Sequence, residues 1–374
     1  MKISGAKVFD LCGDFVERDI YIEDGCFSSK PEGKTVNAEG CYAVPGLIDI
    51  HFHGCVGHDF ANAGIEEMSV MARYMAINGI TAMCPATVTL PEEALAKACT
   101  AMARFAVRND KKEARLVGIN VEGPFISLDK IGAQNPKYVA VPDAGFFRRL
   151  QASAGGLIKL LDIAPEIEGA LDTIEELSGE VTCSIAHTTA TYEIAMEAFS
   201  RGARHVTHLY NAMPPFGHRE PGVVGAAFDT PLCAAELITD NVHIHPAAVR
   251  ATFRMFGDDR LILISDSMMA TGLEDGIYEL GGLEVQVAGN TARLTRNGAI
   301  AGSVTNLMDC VRTAVKVMNI PLYSAIKCAT VNPAKAIGVF FDRGSIEYGK
   351  TADLILLDKS LNIRQVFLRG IPLL

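Results

Sequence analysis

Residues 47–54 read "LIDIHFHG", an apolar strand that stops on two histidines one residue apart. In a strand, side chains at i and i+2 face the same way. Neutral imidazole is a good ligand for a divalent metal, so His51 and His53 can grip one ion from one side. Alone, the pair reads more simply as two ordinary histidines at a strand end. The rest of the chain decides between these readings.

Moving outward, the same layout recurs. Short, continuous apolar runs occupy 44–53, 79–88, 116–123, 157–166, 181–188, 204–211, 234–240 and 261–266. Such runs suit strands buried on both faces of a parallel sheet. Helical patterns separate them, among them "IEEMSVMARYMAING" (65–79) and "TYEIAMEAFSRG" (191–202). The second opens on a Thr cap and closes on Gly. Eight strand–helix units over about 220 residues predict a (β/α)8 TIM-type barrel.

Barrels of this kind place their chemistry at the C-terminal ends of the strands. Here those ends carry His51 and His53, Glu122, His187, His208, His243 and Asp266. A core has no reason to end so many apolar strands in imidazoles and carboxylates. His, Glu and Asp around one mouth suit a hydrolytic divalent-metal site, where a bound ion lowers the pKa of its water. Asp266 closes the last strand inside an apolar run and is the best candidate for the base that moves the water proton.

Composition bounds the rest. The chain has 374 residues, 49% of them hydrophobic, and a net charge of −10. The mean hydropathy of +0.21 and pI near 5.4 describe a globular, acidic protein. That balance argues against a nucleic-acid surface. No apolar run is long enough to span a bilayer, and the charged start lacks a signal-peptide pattern. Ten scattered cysteines without a CxxC pair read as small core residues in a reducing compartment. A cytoplasmic location is expected. The flanks differ from the middle. Residues 1–44 and 345–374 carry β-like runs and predict a small β-sandwich built from both chain ends, with the barrel over 45–344. Residues 276–300 read as hairpins that either join the sandwich or extend over the barrel mouth.

The segments "VPGLIDIHFHG", "VEGPF", "AHTTATYE", "THLYNAMPPFGHREPGVVGAA", "LITDNVHIHP", "ISDSMMATG" and "AGSVTN" resemble, in order, the N-acetylglucosamine-6-phosphate deacetylases of the amidohydrolase superfamily. The tail "GSIEYGKTADLILLD" resembles the superfamily's return to its small β domain. The likeness covers essentially the whole chain, and "HLYNAMPPFGHREPG" is its most specific part. It implies removal of acetate from N-acetyl-D-glucosamine 6-phosphate in amino-sugar catabolism. By it, Glu122, His187 and His208 hold the essential metal and Asp266 is the general acid/base. His243 contacts the substrate and polarises the amide carbonyl. Asn211 and Ala212 meet the sugar phosphate, Ala301, Gly302 and Ser303 form a substrate loop, and Ala133 adds a contact. Arg219 pairs with the phosphate from the neighbouring subunit of a homodimer.

Members of the family that keep the first-strand histidines can hold a second metal, so His51 and His53 imply a second ion bridged through Glu122. Gln134, in "KIGAQNP", stands where the family pattern leads one to expect histidine, which leaves the gluco and galacto epimers both open. Nitrogen and oxygen ligands suit zinc or iron first, with manganese or cobalt also compatible. Other readings are a cyclic amidase or deaminase of the same superfamily, or a scaffold without catalysis. The first lacks a place for the phosphate-loop motif, and the second should have lost metal ligands or the base.

Overall fold

The computed structural model describes residues 1–29, 33–108 and 110–373. Residues 30–32 and 374, within the span expected for the small domain, lie outside the described residues.

Eight parallel strands form the barrel. They are Leu47–Asp49, Ile80–Met83, Arg115–Leu116 continuing as Ile119–Phe125, Ile158–Ile163, Thr182–Ile185, His205–Val206, Ala234–Ile238 and Leu261–Ile264. Neighbours pair in parallel register, and an isolated bridge between Ala86 and Asn120 carries the second strand onto the third. The ring closes at the top, where Asp266 N–H donates to His51 C=O at 2.9 Å and His53 N–H to Ser267 C=O at 2.7 Å. The last strand therefore locks onto the histidines of the first. Ile48, Ile50, Ala82, Cys84, Leu160, Ile238, Ile262 and Ile264 fill part of the interior. Helices pack outside because one face of each is apolar. In Tyr192–Arg201, Thr191 accepts from Ile194 N–H, Gly202 at φ 124° ends the helix, and Ala195, Ala198 and Phe199 are buried. All ten cysteines are free thiols, and seven are buried.

Most of the expected runs are longer than the strands they contain, the fifth and sixth for a reason that bears on the site. The sixth is regular only over His205–Val206, because His208, Tyr210 and Ala212 have positive φ and leave the ladder. The fifth stops at Ile185, two residues before His187, which is at φ 43°.

Both chain ends build the small domain. A four-stranded sheet comes from residues before 38. A six-stranded sheet joins Lys7–Asp10, Asp14–Glu17 and Tyr42–Pro45 to Leu354–Leu357, Ile363–Leu368 and Ile371–Pro372. Ile3, Val8, Ile20, Ile22, Phe27, Leu354 and Phe367 are buried in one cluster between them. The segment 276–300 joins neither sheet. It forms an antiparallel meander, Gly276–Leu280, Leu283–Ala288 and Thr291–Leu294, packed on Met268, Ala270 and Ala301 beside the barrel mouth.

The run expected as one strand over 44–53 breaks at Gly46 into Tyr42–Pro45, which belongs to the small sheet, and Leu47–Asp49, which belongs to the barrel. A Cβ on Gly46 would overlap the buried Thr81 side chain. Gly46→Ala is therefore expected to destabilise the protein by about 1–3 kcal/mol through overpacking, read as a lower urea midpoint at unchanged m.

Candidate metal centre at the barrel mouth

Glu122 sits at the centre of the mouth, buried on the third barrel strand. Its Oε1 lies 3.1 Å from His187 Nε2 and 3.2 Å from His208 Nε2, and those two nitrogens are 3.2 Å apart. On the other side, Oε1 is 3.4 Å from His51 Nε2, and Oε2 is 3.3 Å from His53 Nε2. Asp266 Oδ1 reaches His53 Nε2 at 3.3 Å and His51 Nε2 at 3.8 Å. Among the described residues three overlapping ligand groups result, Glu122 with His187 and His208, His51 with His53 and Asp266, and His51 with Glu122 and Asp162. Both histidines turn toward one place, although the first barrel strand ends at Asp49 and they follow it.

The hydrogen bonds around this cluster define what it can hold. His187 Nδ1 faces the Lys130 carbonyl at 2.9 Å. A carbonyl only accepts, so that nitrogen carries the proton and Nε2 presents a lone pair. His51 Nδ1 faces Glu236 Oε2 at 3.0 Å, which by the same argument leaves its Nε2 as an acceptor without a donor. Lone pairs of imidazoles then face carboxylate oxygens inside a buried pocket. That arrangement is repulsive unless a cation stands between them. The donor set of imidazole nitrogens and carboxylate oxygens fits a divalent ion.

Charge is tuned accordingly. When protons rather than an ion stand between these groups, burial pushes the Glu122 carboxyl up, but the charge of His51 and hydrogen bonds from His187 and His208 outweigh it and hold the group well below its ordinary range. Burial also pushes Asp266 up. The hydrogen bond from His53 and the charges of His51 and His53 outweigh that and keep it below its usual value. His243 shows the opposite balance. Burial disfavours its charged form, yet Asp240 Oδ2, 2.7 Å from Nδ1, raises its pKa overall. Asp240 Oδ1 also accepts the N–H groups of Val242 and His243, so this imidazole is held rigidly.

The mouth is a cavity of about 180 Å³ lined by His53, Glu122, Gly132, Ala133, Gln134, His187, His208, Asn211, Ala212, His243, Asp266, Leu280, Ile300 and Gly302. Most residues singled out in the sequence meet there. Three do not. Ala301 and Ser303 lie behind Gly302. Ala301 is buried under the meander, and Ser303 Oγ donates to Ser265 C=O at 2.6 Å, bracing the eighth strand. Gly302 alone faces the cavity, at φ 61°, where a Cβ would stand 3.0 Å from the Asp266 carbonyl. Arg219 is exposed and lines a separate cleft of about 450 Å³ with Tyr192, Pro214 and Pro221. His51 is completely buried and supports the cluster from beneath.

Gln134, which stands where histidine was expected, is tied into the ligand cluster. Its Nε2 donates to Glu122 Oε2 at 2.6 Å and its Oε1 accepts Thr89 N–H at 2.7 Å. Both ends of the amide are committed to the ligand carboxylate and the backbone. Sequence reasoning missed Asp240, Glu236 and Leu280. An Asp three residues before His243 was the one available signal. His205 is buried against Ser184 Oγ at 2.9 Å, and His245 caps the helix Pro246–Phe256.

The amidohydrolase family model matches residues 42–372. The chain is 36% identical to N-acetylglucosamine-6-phosphate deacetylase of Bacillus subtilis (strain 168), over 91% of this chain and 87% of the relative. It is 33% identical to N-acetylgalactosamine-6-phosphate deacetylase of Escherichia coli O157:H7, over 87% of this chain and 86% of that one. It superposes with a TM-score of 0.93 on a mutant N-acetyl-D-glucosamine-6-phosphate deacetylase of Mycobacterium smegmatis in complex with N-acetyl-D-glucosamine-6-phosphate. That match has 31% identity and covers 100% of this chain and 99% of the other.

Because an ion replaces repulsion with coordination here, metal and fold stability are linked. Zinc at about a hundred times its Kd is expected to stabilise the protein by about 2.7 kcal/mol, and a chelator to remove that increment. Differential scanning calorimetry checks it. His187→Asn should abolish most of the response without unfolding the chain.

Proposed function

The chain belongs to the amidohydrolase family, and from that we propose that its mouth hydrolyses N-acetyl-D-glucosamine 6-phosphate to D-glucosamine 6-phosphate and acetate. The reading is carried by the convergence of Glu122, His187, His208 and Asp266 in one cavity. The barrel around it matches, over its whole length, a deacetylase that holds this sugar phosphate. Glu122, His187 and His208 would hold the essential ion, with zinc or iron first, manganese or cobalt as alternatives, and a second, weaker ion at His51 and His53. A divalent ion held there supplies a water of lowered pKa.

The side chains of this protein do the rest. Asp266 accepts a proton from the attacking water and returns it to the amine nitrogen as the C–N bond breaks and the new C–O bond completes acetate. A carboxyl held below its ordinary value is ionised and ready for the first of these steps. His243 keeps Nδ1 on Asp240, and its raised pKa favours a proton on Nε2, from which it can donate to the amide oxygen. Ala133, Asn211, Ala212 and Gly302 shape the sugar and phosphate subsite, and Ala301 and Ser303 support it from behind.

We place Arg219 on the phosphate of a neighbouring subunit in a homodimer. Its exposure, and its place in a cleft separate from its own mouth, support this. Residues 45–344 form the catalytic unit in this reading, and 1–44 with 345–374 the supporting one. Free thiols throughout support a cytoplasmic enzyme. The galacto epimer is the second reading, favoured only by the Escherichia coli relative. An acetate-release assay on both 6-phosphates and on their unphosphorylated forms tests the function. Release from neither phosphate by metal-loaded protein would overturn it.

Asp266→Asn is expected to keep the fold and lose roughly 10²–10⁴-fold in kcat, measured at saturating substrate. Retention of near-parental kcat would remove its assigned role. Arg219→Ala is expected to raise KM for the phosphorylated sugar roughly ten- to a hundredfold, with little change on the unphosphorylated one. Mixing Arg219→Ala with Asp266→Asn protein should restore activity in hybrid dimers, since one mouth then has both groups intact. Subunit exchange without restoration would exclude the shared site.

A further inference from the structure

Glu236 is a fully buried carboxylate on the seventh barrel strand, below the mouth and outside the cavity lining. Nothing in the reaction above uses it. An ionised carboxylate in a barrel interior is costly unless its oxygens are satisfied. Its Oε2 accepts twice, from His51 Nδ1 at 3.0 Å and from the backbone N–H of His208 at 3.1 Å. Its Oε1 is 3.8 Å from His205 Nε2 and makes no hydrogen bond. His205 in turn is tied through Ser184 and Thr207 to Asp162, at 2.9, 2.6 and 2.8 Å, so the wall around Glu236 is a fixed polar lattice.

We propose that Glu236 is a positioning residue that creates the second metal position by holding His51 with its proton on Nδ1 and its Nε2 lone pair toward Glu122 and Asp266. The alternative tautomer shows why the position depends on it. Glu236 Oε2 is the acceptor that faces Nδ1, and without it a proton on that nitrogen is left buried and unpaired. The ring proton then prefers Nε2, where Glu122 Oε1 at 3.4 Å and Asp266 Oδ1 at 3.8 Å receive it. A proton on Nε2 occupies the lone pair an ion needs, so the ligand site closes. The same Oε2 steadies His208, which holds a left-handed backbone at φ 31°. One oxygen thus orients a ligand of the weaker ion through its ring and a ligand of the tighter ion through its backbone. Carboxylates behind metal-binding histidines commonly change affinity by about 10–100-fold when removed.

The inference rests on the two-ion reading above. It is tested by titrating metal-free protein with Zn²⁺ against a chromophoric chelator, which returns both dissociation constants without reference to activity. Glu236→Gln preserves shape and offers an amide oxygen to Nδ1 without the charge. It is expected to weaken the second ion roughly tenfold. Glu236→Leu removes the acceptor and should weaken it up to about a hundredfold, the tighter ion changing far less in both. In a His51→Gln background, where the ring Glu236 acts through is gone, Glu236→Gln should cause no further loss. Should the Leu variant fail to fold, the Gln variant alone decides. A parent that binds one ion refutes the two-ion reading and this inference with it. A parent that binds two, with Glu236→Gln binding both at parental affinity, refutes the inference alone. Equal weakening of both ions would overturn the specific link to His51.

Discussion

Glu122 is a buried carboxylate whose immediate neighbours are four imidazoles and one amide, and the rest of the mouth is arranged around that fact. A lone ionised carboxylate in such a place would be driven to protonate. Here His51, His53, His187 and His208 converge on it from four directions, and Gln134 grips its far oxygen. The strands that deliver these groups come from distant parts of the chain, so the cluster exists only when the barrel is closed. Closure itself runs through the site, since the backbone of Asp266 pairs with that of His51. The interaction that fits the protein for an ion also fastens its last strand to its first.

Strain follows the chemistry. His187, His208 and Asp266 all hold left-handed backbone, at φ 43°, 31° and 48°. Residues other than Gly rarely adopt it, and each instance costs on the order of 1–3 kcal/mol. At these positions the strands have just ended, and the turn swings a side chain inward over the barrel axis instead of along its wall. Polar groups beneath, Glu236 among them, hold those turns in place. The barrel therefore has an apolar sector, where Ile48, Ile262 and Ile264 pack, and a polar sector that serves the mouth.

The strands were legible because burial on both faces leaves an apolar run that needs no partner to be recognised. The mouth was legible because polar residues ending such runs have no place in a core. What escaped was polarity inside the runs. Glu236 in "AAELITD" and Asp162 in "LIKLLDIAPE" interrupt strands without ending them, and only the fold reveals which residues face them. Ala301 and Ser303, expected in a substrate loop, lie behind the cavity lining instead. A loop motif gives order along the chain, but the positive φ of Gly302 decides that it alone turns to the cavity. The partners of Gln134, Thr89 and Glu122, are 45 and 12 residues away, so its tie to the ligand carboxylate was not legible either. Whether 276–300 joined the end sheets depended on packing against Met268 and Ala270, which no local pattern encodes.

The sheet shared by the two chain ends has a consequence for how the protein is made. Tyr42–Pro45, two residues ahead of the first barrel strand, pairs with Leu354–Leu357. At about 5–20 residues per second, a ribosome presents the earlier strand long before the later one exists. Through that interval its hydrogen-bonding edge lies open, an invitation to wrong pairing that natural sheets normally guard against. The base of the barrel is thus fastened only after the barrel strands have been made, and a chain truncated between Asp266 and Leu354 would carry the ligands of its candidate metal centre on an unsecured frame.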